Sequence, residues 1–301
     1  MDFGKVADLS KVNFSLPDDA DFTQQVLKQY HPSTPQILIG APVWSNKEWN
    51  GKIYPGNCKP AEMLYHYSRQ FNTIELNLTH YKIPDEDTIR FWKETVPESF
   101  RFCPKWPQAI SHDSILRGLD SLKQEFIKAA MMLEENLGTT FLQLGPAFDT
   151  RYMPVLDEFI KILPEGFPIA LEFRHPDWFS DQQKFNRLLA YLHRKNVGMV
   201  ITDVAGRRDV LHMGLSTPHL TLRFVGYELH PTDYTRSNDW ILRLKKWFAA
   251  GLQSATLWVH CGENFLAPEL IQYWIGQLNQ ELNLTLQPPV IRPNVVQGSL
   301  F

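Results

Sequence analysis

Residues 170–178 read Ala170-Leu171-Glu172-Phe173-Arg174-His175-Pro176-Asp177-Trp178, and the fold turns on how this stretch is placed. Ile169, Leu171 and Phe173 alternate with Ala170, Glu172 and Arg174, the two-residue period of a β-strand. Both charged side chains therefore share one face. Burying two charges costs free energy unless they are paired or used. Pro176 ends the strand, and Trp178 falls where a helix should begin. Charged groups at the carboxyl end of a buried strand are where α/β folds keep their chemistry.

Outward from this stretch, strands and helices alternate. Strand-like runs fall at 36–43, 73–78, 100–105, 139–144, 167–173, 197–203, 219–224 and 255–260. Helical patterns lie at 60–70, 85–95, 119–137, 151–163, 180–195, 234–250 and 267–281, and the link 204–218 is irregular with room for a short extra element. Eight strands with helical crossovers over roughly 250 residues predict a single-domain (β/α)₈ TIM barrel. The competing fold is an open doubly wound sheet, disfavoured in its dinucleotide-binding form because no Gly-x-Gly-x-x-Gly follows the first strand. Residues 1–35 read as an N-terminal extension with one helix near 20–30, 36–286 as the barrel, and 287–301 as an extended tail held open by Pro288, Pro289 and Pro293.

The bulk properties bound the function. The chain has 301 residues, 44% hydrophobic and 21% charged, which suits a soluble protein with a real core. A net charge of −3 argues against a broad nucleic-acid footprint but not against a local basic pocket. Cys58, Cys103 and Cys261 are far apart, so neither a disulfide framework nor a zinc ribbon is indicated. The opening Met1-Asp2-Phe3-Gly4-Lys5 lacks the apolar core of a signal peptide, and no apolar run approaches the ~18 residues of a membrane span. A cytoplasmic, non-membrane protein is expected.

Alternation along each strand gathers polar side chains at the carboxyl mouth: Glu75, Lys105, Gln143, Glu172, Arg174, Asp203, Arg223 and His260, with Arg101 deeper. Strands two and three are neighbours in a barrel, which predicts a Glu75–Lys105 pair. Trp44, Tyr81, Trp106 and Trp178 follow strand ends and are expected to wall the pocket, with His175 beside them. A buried ion-pair network that only fixes the mouth is the plainer alternative. Such networks often add little net stability, which favours a ligand pocket.

Three segments resemble the YecE-like family, catalogued as domain of unknown function seventy-two. They are Phe71-Asn72-Thr73-Ile74-Glu75-Leu76-Asn77 with Tyr81-Lys82-Ile83-Pro84, then Phe100-Arg101-Phe102-Cys103-Pro104-Lys105, then Glu172-Phe173-Arg174-His175-Pro176-Asp177-Trp178. The resemblance spans about residues 36–281. It implies a (β/α)₈ barrel and a pocket but supplies no reaction. The first strand departs from the family's glycine-serine-rich turn with Gly40-Ala41-Pro42-Val43-Trp44, and the last from its asparagine-rich ending with His260-Cys261-Gly262-Glu263-Asn264.

The leading functional expectation is a metal-free acid–base enzyme (hydrolase, lyase or isomerase) acting on a small anionic or polyhydroxylated substrate. Arg174 and Arg223 would clamp a phosphate or carboxylate. Glu75 and Glu172 would serve as acid and base with pKa values pushed apart, and Lys105 as an electrophile or Schiff-base nucleophile. Four alternatives stand beside it. A divalent metal could be held by Glu172, Asp203 and His260, although no His-x-His or His-Glu-x-x-His spacing appears and Arg174 would repel a cation. Glu75 and Glu172 could flank a glycosidic bond, against three basic residues in the same mouth. A non-catalytic binding barrel would look the same in sequence. Finally, Gln297-Gly298-Ser299-Leu300-Phe301 resembles the Gln-x-x-Leu-Phe peptide by which bacterial proteins dock on the sliding clamp, with Gln297, Leu300 and Phe301 as the contacts. That docking would point to nucleic-acid maintenance. The competing role for Leu300 and Phe301 is packing on the chain's own barrel.

Overall fold

Every predicted strand forms. The computed structural model describes Gly4 and residues 6–292, and runs β1 (Gln36–Gly40), α2 (Met63–Tyr67), β2 (Thr73–Leu76), α3 (Glu86–Thr95), β3 (Arg101–Pro104), α4 (Asp120–Met131), β4 (Thr140–Gln143) and α5 (Met153–Lys161). It continues β5 (Ile169–Glu172), α6 (Gln182–Arg194), β6 (Gly198–Asp203), β7 (His219–Val225), α7 (Pro231–Ala250), β8 (Ser254–His260) and α8 (Ala267–Leu282). The irregular link after β6 carries a 3₁₀ turn at Ala205–Val210. Helix α6 shows why the elements sit where they do. Asp181 accepts from the Gln183 and Lys184 amides, capping the start, and Phe185, Leu188, Leu189 and Leu192 form one buried stripe.

All strand pairs are parallel, but the ladders do not close into a ring. Six strands join in the order β1-β8-β7-β6-β5-β4, and β2-β3 form a separate pair. Expectation and structure differ at two seams, each with a physical cause. Between β3 and β4, Pro104 has no amide to donate, and contact is reduced to isolated bridges at Phe102–Leu137 and Lys105–Phe141. Between β1 and β2, side chains replace the ladder. The Asn72 amide accepts from Ile39 N–H (2.7 Å) and donates to the Ile37 carbonyl (3.0 Å). The Tyr67 hydroxyl accepts from Ala41 N–H and lies 2.8 and 3.0 Å from the Ala41 and Thr73 carbonyls. Gly40 permits this approach, since a Cβ there would come within 1.9 Å of the Thr73 carbonyl oxygen.

Asn72→Ala strands one donor and one acceptor of β1. It is expected to cost about 1–3 kcal/mol, read as a lower urea midpoint; an unchanged midpoint would mean that water seals the seam equally well.

The N-terminal segment is less of an appendage than expected. Helix α1 (Asp21–Leu27) is tied to the body by Thr23 Oγ1 on the Met213 carbonyl and by Phe22 N–H on Asn186, while Asp19 holds Arg243 and Trp247 of α7. Among the described residues no helix is long and apolar enough to cross a membrane.

Inside the strands, Cys103, Phe141, Ala170, Val200 and Trp258 form one buried layer, with Phe141 and Trp258 rings 4.7 Å apart. They sit two residues before Lys105, Gln143, Glu172, Thr202 and His260. This apolar layer is the floor of what lies at the carboxyl ends.

Candidate functional site

Arg223 of β7 organises the carboxyl ends of the strands. Its Nε and Nη2 donate to the Glu75 carboxylate at 3.1 and 3.0 Å, and its Nη1 lies 3.3 and 3.4 Å from the two oxygens of Glu172. One guanidinium thus serves two carboxylates that are 0% and 2% exposed. Glu75 also accepts from Asn77 (3.0 Å) and meets His260 Nε2 at 2.7 Å. Glu172 accepts from Arg174 Nε at 3.0 Å and from Gln143 Nε2 at 2.7 Å. Burial alone would raise both carboxyl pKa values. Their partners win: Arg223 and the His260 contact hold Glu75 well below the usual carboxylate range, and Arg174 and Arg223 bring Glu172 to about 2. Neither is a carboxylic acid at neutral pH, so the expected split into one acid and one base is replaced by two carboxylates.

Lys105 differs from the expected partner of Glu75. Its ammonium donates to the neutral amide oxygen of Gln143 at 3.0 Å, and among the described residues no carboxylate pairs with it. Burial, reinforced by Arg223, lowers its pKa to about 8. Below it lies the Phe141 ring, 5.5 Å from Nζ. Thr202, in register with Arg223 across β6–β7, buries a hydroxyl that has no partner among the described residues. Two loop histidines approach the same wall. His80 Nδ1 is 2.7 Å from the Trp106 carbonyl, and its ring centroid is 5.5 Å from that of His112.

This is a closed, charge-dense cluster on a parallel α/β scaffold, and comparison with known proteins gives it a lineage. The profile described as "Protein of unknown function DUF72" matches residues 38–294. The chain belongs to the DUF72 family. UPF0759 protein YecE of Escherichia coli, strains K12 and O157:H7, is 32% identical over 290 residues, covering 88% of this chain and 100% of YecE. UPF0759 protein YunF of Bacillus subtilis is 29% identical over 48% of this chain and 52% of its own length. Solved DUF72 proteins share the fold. One from Enterococcus faecalis V583 aligns with a TM-score of 0.65 at 18% identity, over 85% of this chain and 100% of its own. One from Thermotoga maritima MSB8 aligns at 0.64 and 19%, over 83% and 100%. The family carries no established activity, so function must be argued from this chain's own residues.

Several predicted site residues lie elsewhere. Asp203 faces away from the cluster: Arg208, Arg236 and the Trp240 indole of α7 clamp it on the outer face of β6. Parity explains this, because Thr202 shares the inner face with Arg223 and its neighbour must point out. The proposed metal set of Glu172, Asp203 and His260 is therefore not assembled. Among the described residues, Asp149, His175 and Asp177 do place ligand atoms within 4.8 Å of one another, but Arg151 grips Asp149 through two nitrogens. His175 itself accepts from the Asp177 amide and caps the turn at Pro176–Trp178.

Three of the four predicted wall aromatics are structural. Trp178 is buried, donates to the Phe148 carbonyl (2.6 Å) and packs on Phe173. Trp106 packs on Phe126 and Phe159, and Trp44 lies edge-on to Trp92. Tyr81, 80% exposed beside His80, is the one at the rim. Arg101 donates to the Glu98 and Phe100 carbonyls at the opposite end of the strands, where a cavity of about 340 Å³ lacks any charged pair. Gln297, Leu300 and Phe301 lie outside the described residues; the chain leading to them is fixed at Val290 and Arg292, whose amides donate to Gln70 and to the Lys52 carbonyl. Strand parity places Thr202 on the inner face with Arg223, while His80 and His112, which the sequence puts in loops beside the mouth, carry no spacing signature.

Proposed function

We propose that the eight strands make one distorted (β/α)₈ barrel, joined at its two ladder gaps by side chains between β1 and β2 and by isolated bridges between β3 and β4, and that its carboxyl mouth binds a small anion for acid–base chemistry. The observation that carries this reading is Lys105, a buried ammonium bonded to an amide rather than a carboxylate. Among the described residues Glu75 and Glu172 are paired with Arg223 and Arg174, and Lys105 is the odd cation. A buried charge needs a counter-ion, and a ligand phosphate or carboxylate would supply it, with the Thr202 hydroxyl as a further donor. Its pKa of about 8 suits proton donation or, once neutral, attack on a carbonyl. The glutamates then act as the frame that fixes Arg223 and Arg174, and the glycosidase reading loses its acid. Three free, buried cysteines agree with a reducing compartment.

Lys105→Met tests this. Phosphate, sulfate or acetate should raise the thermal midpoint of the native protein and bind measurably by calorimetry. The variant should bind about ten- to a hundredfold more weakly with its own stability kept or raised, since an apolar side chain replaces an unmatched cation. A native protein that ignores all three anions, or a variant that binds them equally well, would refute the anion site.

A further inference from the structure

The two histidines beside Lys105 extend the anion reading, on which this inference rests. Their tautomers follow from their partners. A carbonyl only accepts, so His80 Nδ1, 2.7 Å from the Trp106 oxygen, carries a hydrogen. Ser111 has one hydroxyl hydrogen, and where it goes to the Pro107 carbonyl at 3.0 Å, rather than to His112 Nδ1 at 2.8 Å, His112 Nδ1 is the donor as well. His80 is thereby fixed with a bare Nε2, His112 has one in that arrangement of Ser111, and among the described residues neither Nε2 has a hydrogen-bond partner. The backbone holds them against the cluster. Thr79 Oγ1 lies 2.9 and 2.8 Å from the Leu76 and Lys105 carbonyls and anchors the turn carrying His80. His112, on a π turn at Ala109–Asp113, lies against Gly145 after β4, where a Cβ would be 3.5 Å from its Cδ2.

The titratable groups that act on His80 are Lys105, Arg174 and His112; those on His112 are Lys105, Arg174, Asp113 and Glu172. Burial and the neighbouring cations keep His80 neutral, with a pKa of about 4, and move His112 in the same direction. Two bare imidazole nitrogens would also suit a metal, but Lys105 and Arg174 oppose a cation, and among the described residues no third ligand joins them. Cations favour one event at an Nε2, the arrival of a proton together with negative charge. A monoanion is matched by Lys105 alone. A second negative charge needs a second positive one.

We propose that His80 and His112, together with Lys105, form a proton-coupled seat for a doubly charged oxyanion such as a phosphomonoester, which binds with uptake of a proton at an imidazole Nε2. The bound oxyanion then accepts from Lys105 and from an imidazolium, and a carboxylate monoanion binds without the proton.

Sulfate is the probe, because it carries two charges throughout the working range and cannot itself titrate. Calorimetry of the full chain in two buffers of different ionisation enthalpy gives the protons taken up per sulfate. Near pH 6 Lys105 is already charged, so uptake there reports the histidines. The expected result is net uptake with sulfate, growing from about pH 7 to about pH 5.5, and none with acetate. His80→Asn and His112→Asn keep the Nδ1-like donor and remove Nε2; sulfate should bind about ten- to a hundredfold more weakly to the one that holds the proton, with uptake lost. If a variant fails to fold, nitrogen-detected NMR of the native histidines shows whether an Nε2 gains a hydrogen with sulfate. Sulfate binding without uptake, or uptake that survives both substitutions, overturns the histidine seat and leaves the anion site standing. No binding of sulfate or acetate overturns the anion site itself.

Discussion

Arg223→Met is expected to cost about 3–5 kcal/mol of folding stability, the largest effect of any single substitution at the site. The guanidinium meets Glu75 through Nε and Nη2 and Glu172 through Nη1. Without it both carboxylates stay buried, Glu75 beside His260 and Asn77 and Glu172 beside Arg174 and Gln143. Each desolvated carboxylate then lacks most of the field that keeps it ionised, and one should take up a proton at neutral pH. Two measurements separate this from simple loss of packing. The urea midpoint of the variant should recover partly as pH is lowered, opposite to the native trend. Adding Glu75→Gln and Glu172→Gln should restore much of the loss, because a neutral buried layer no longer needs the cation. A single variant losing less than about 1 kcal/mol would mean that water solvates the two carboxylates well enough to replace Arg223.

The layer that holds these residues was legible in the sequence because its cause is local. Side chains alternate on any strand, so Glu75, Lys105, Gln143, Glu172 and Arg223 could be assigned to one inner face without knowing the fold. Their partners could not, since pairing depends on reach. Glu75 was expected to meet Lys105 from the adjacent strand, yet the longer, forked Arg223 crosses the interior to take it, and Lys105 turns to Gln143. Asp203 points outward because parity, which Thr202 obeys, decides its face and its place as the last strand residue does not. Trp44, Trp106 and Trp178 went astray because position after a strand says nothing about rotation. The 3₁₀ turn at Pro176–Trp178 swings the Trp178 indole under Phe148, away from the rim. The eight strands were legible, but not the break in their ladder, because an Asn72 side chain standing in for backbone leaves no periodic trace.

Acid should destabilise the protein in two successive windows, and the sign follows from the groups involved. His212 is buried, its Nδ1 accepts from the Gly214 amide at 3.1 Å, and its ring stacks on Phe179 at 5.1 Å. Burial lowers its pKa from 6.5 to about 4. Between those values the unfolded chain binds a proton that the folded chain refuses, so stability falls as pH falls. Glu172 follows, lowered from 4.5 to about 2 by Arg174 and Arg223 against the opposing effect of burial. Its contribution is complete above about pH 4.5 and lost as pH drops toward 2. Each window is worth about 3 kcal/mol as an upper figure, a large share of a typical domain's stability. The check is the urea midpoint measured from neutral pH down to the onset of acid unfolding. It should begin to drop near pH 6.5, before any carboxylate titrates. His212→Gln should shrink that upper window, the remainder belonging to His80 and His112, while leaving the lower one, and Glu172→Gln should shrink the lower window, which Glu75 shares, while leaving the upper. A native midpoint constant from neutrality down to the carboxylate range would show that His212 accepts its proton in the folded state, against the closed environment that Phe179, Phe185 and the Gly214 amide make around it.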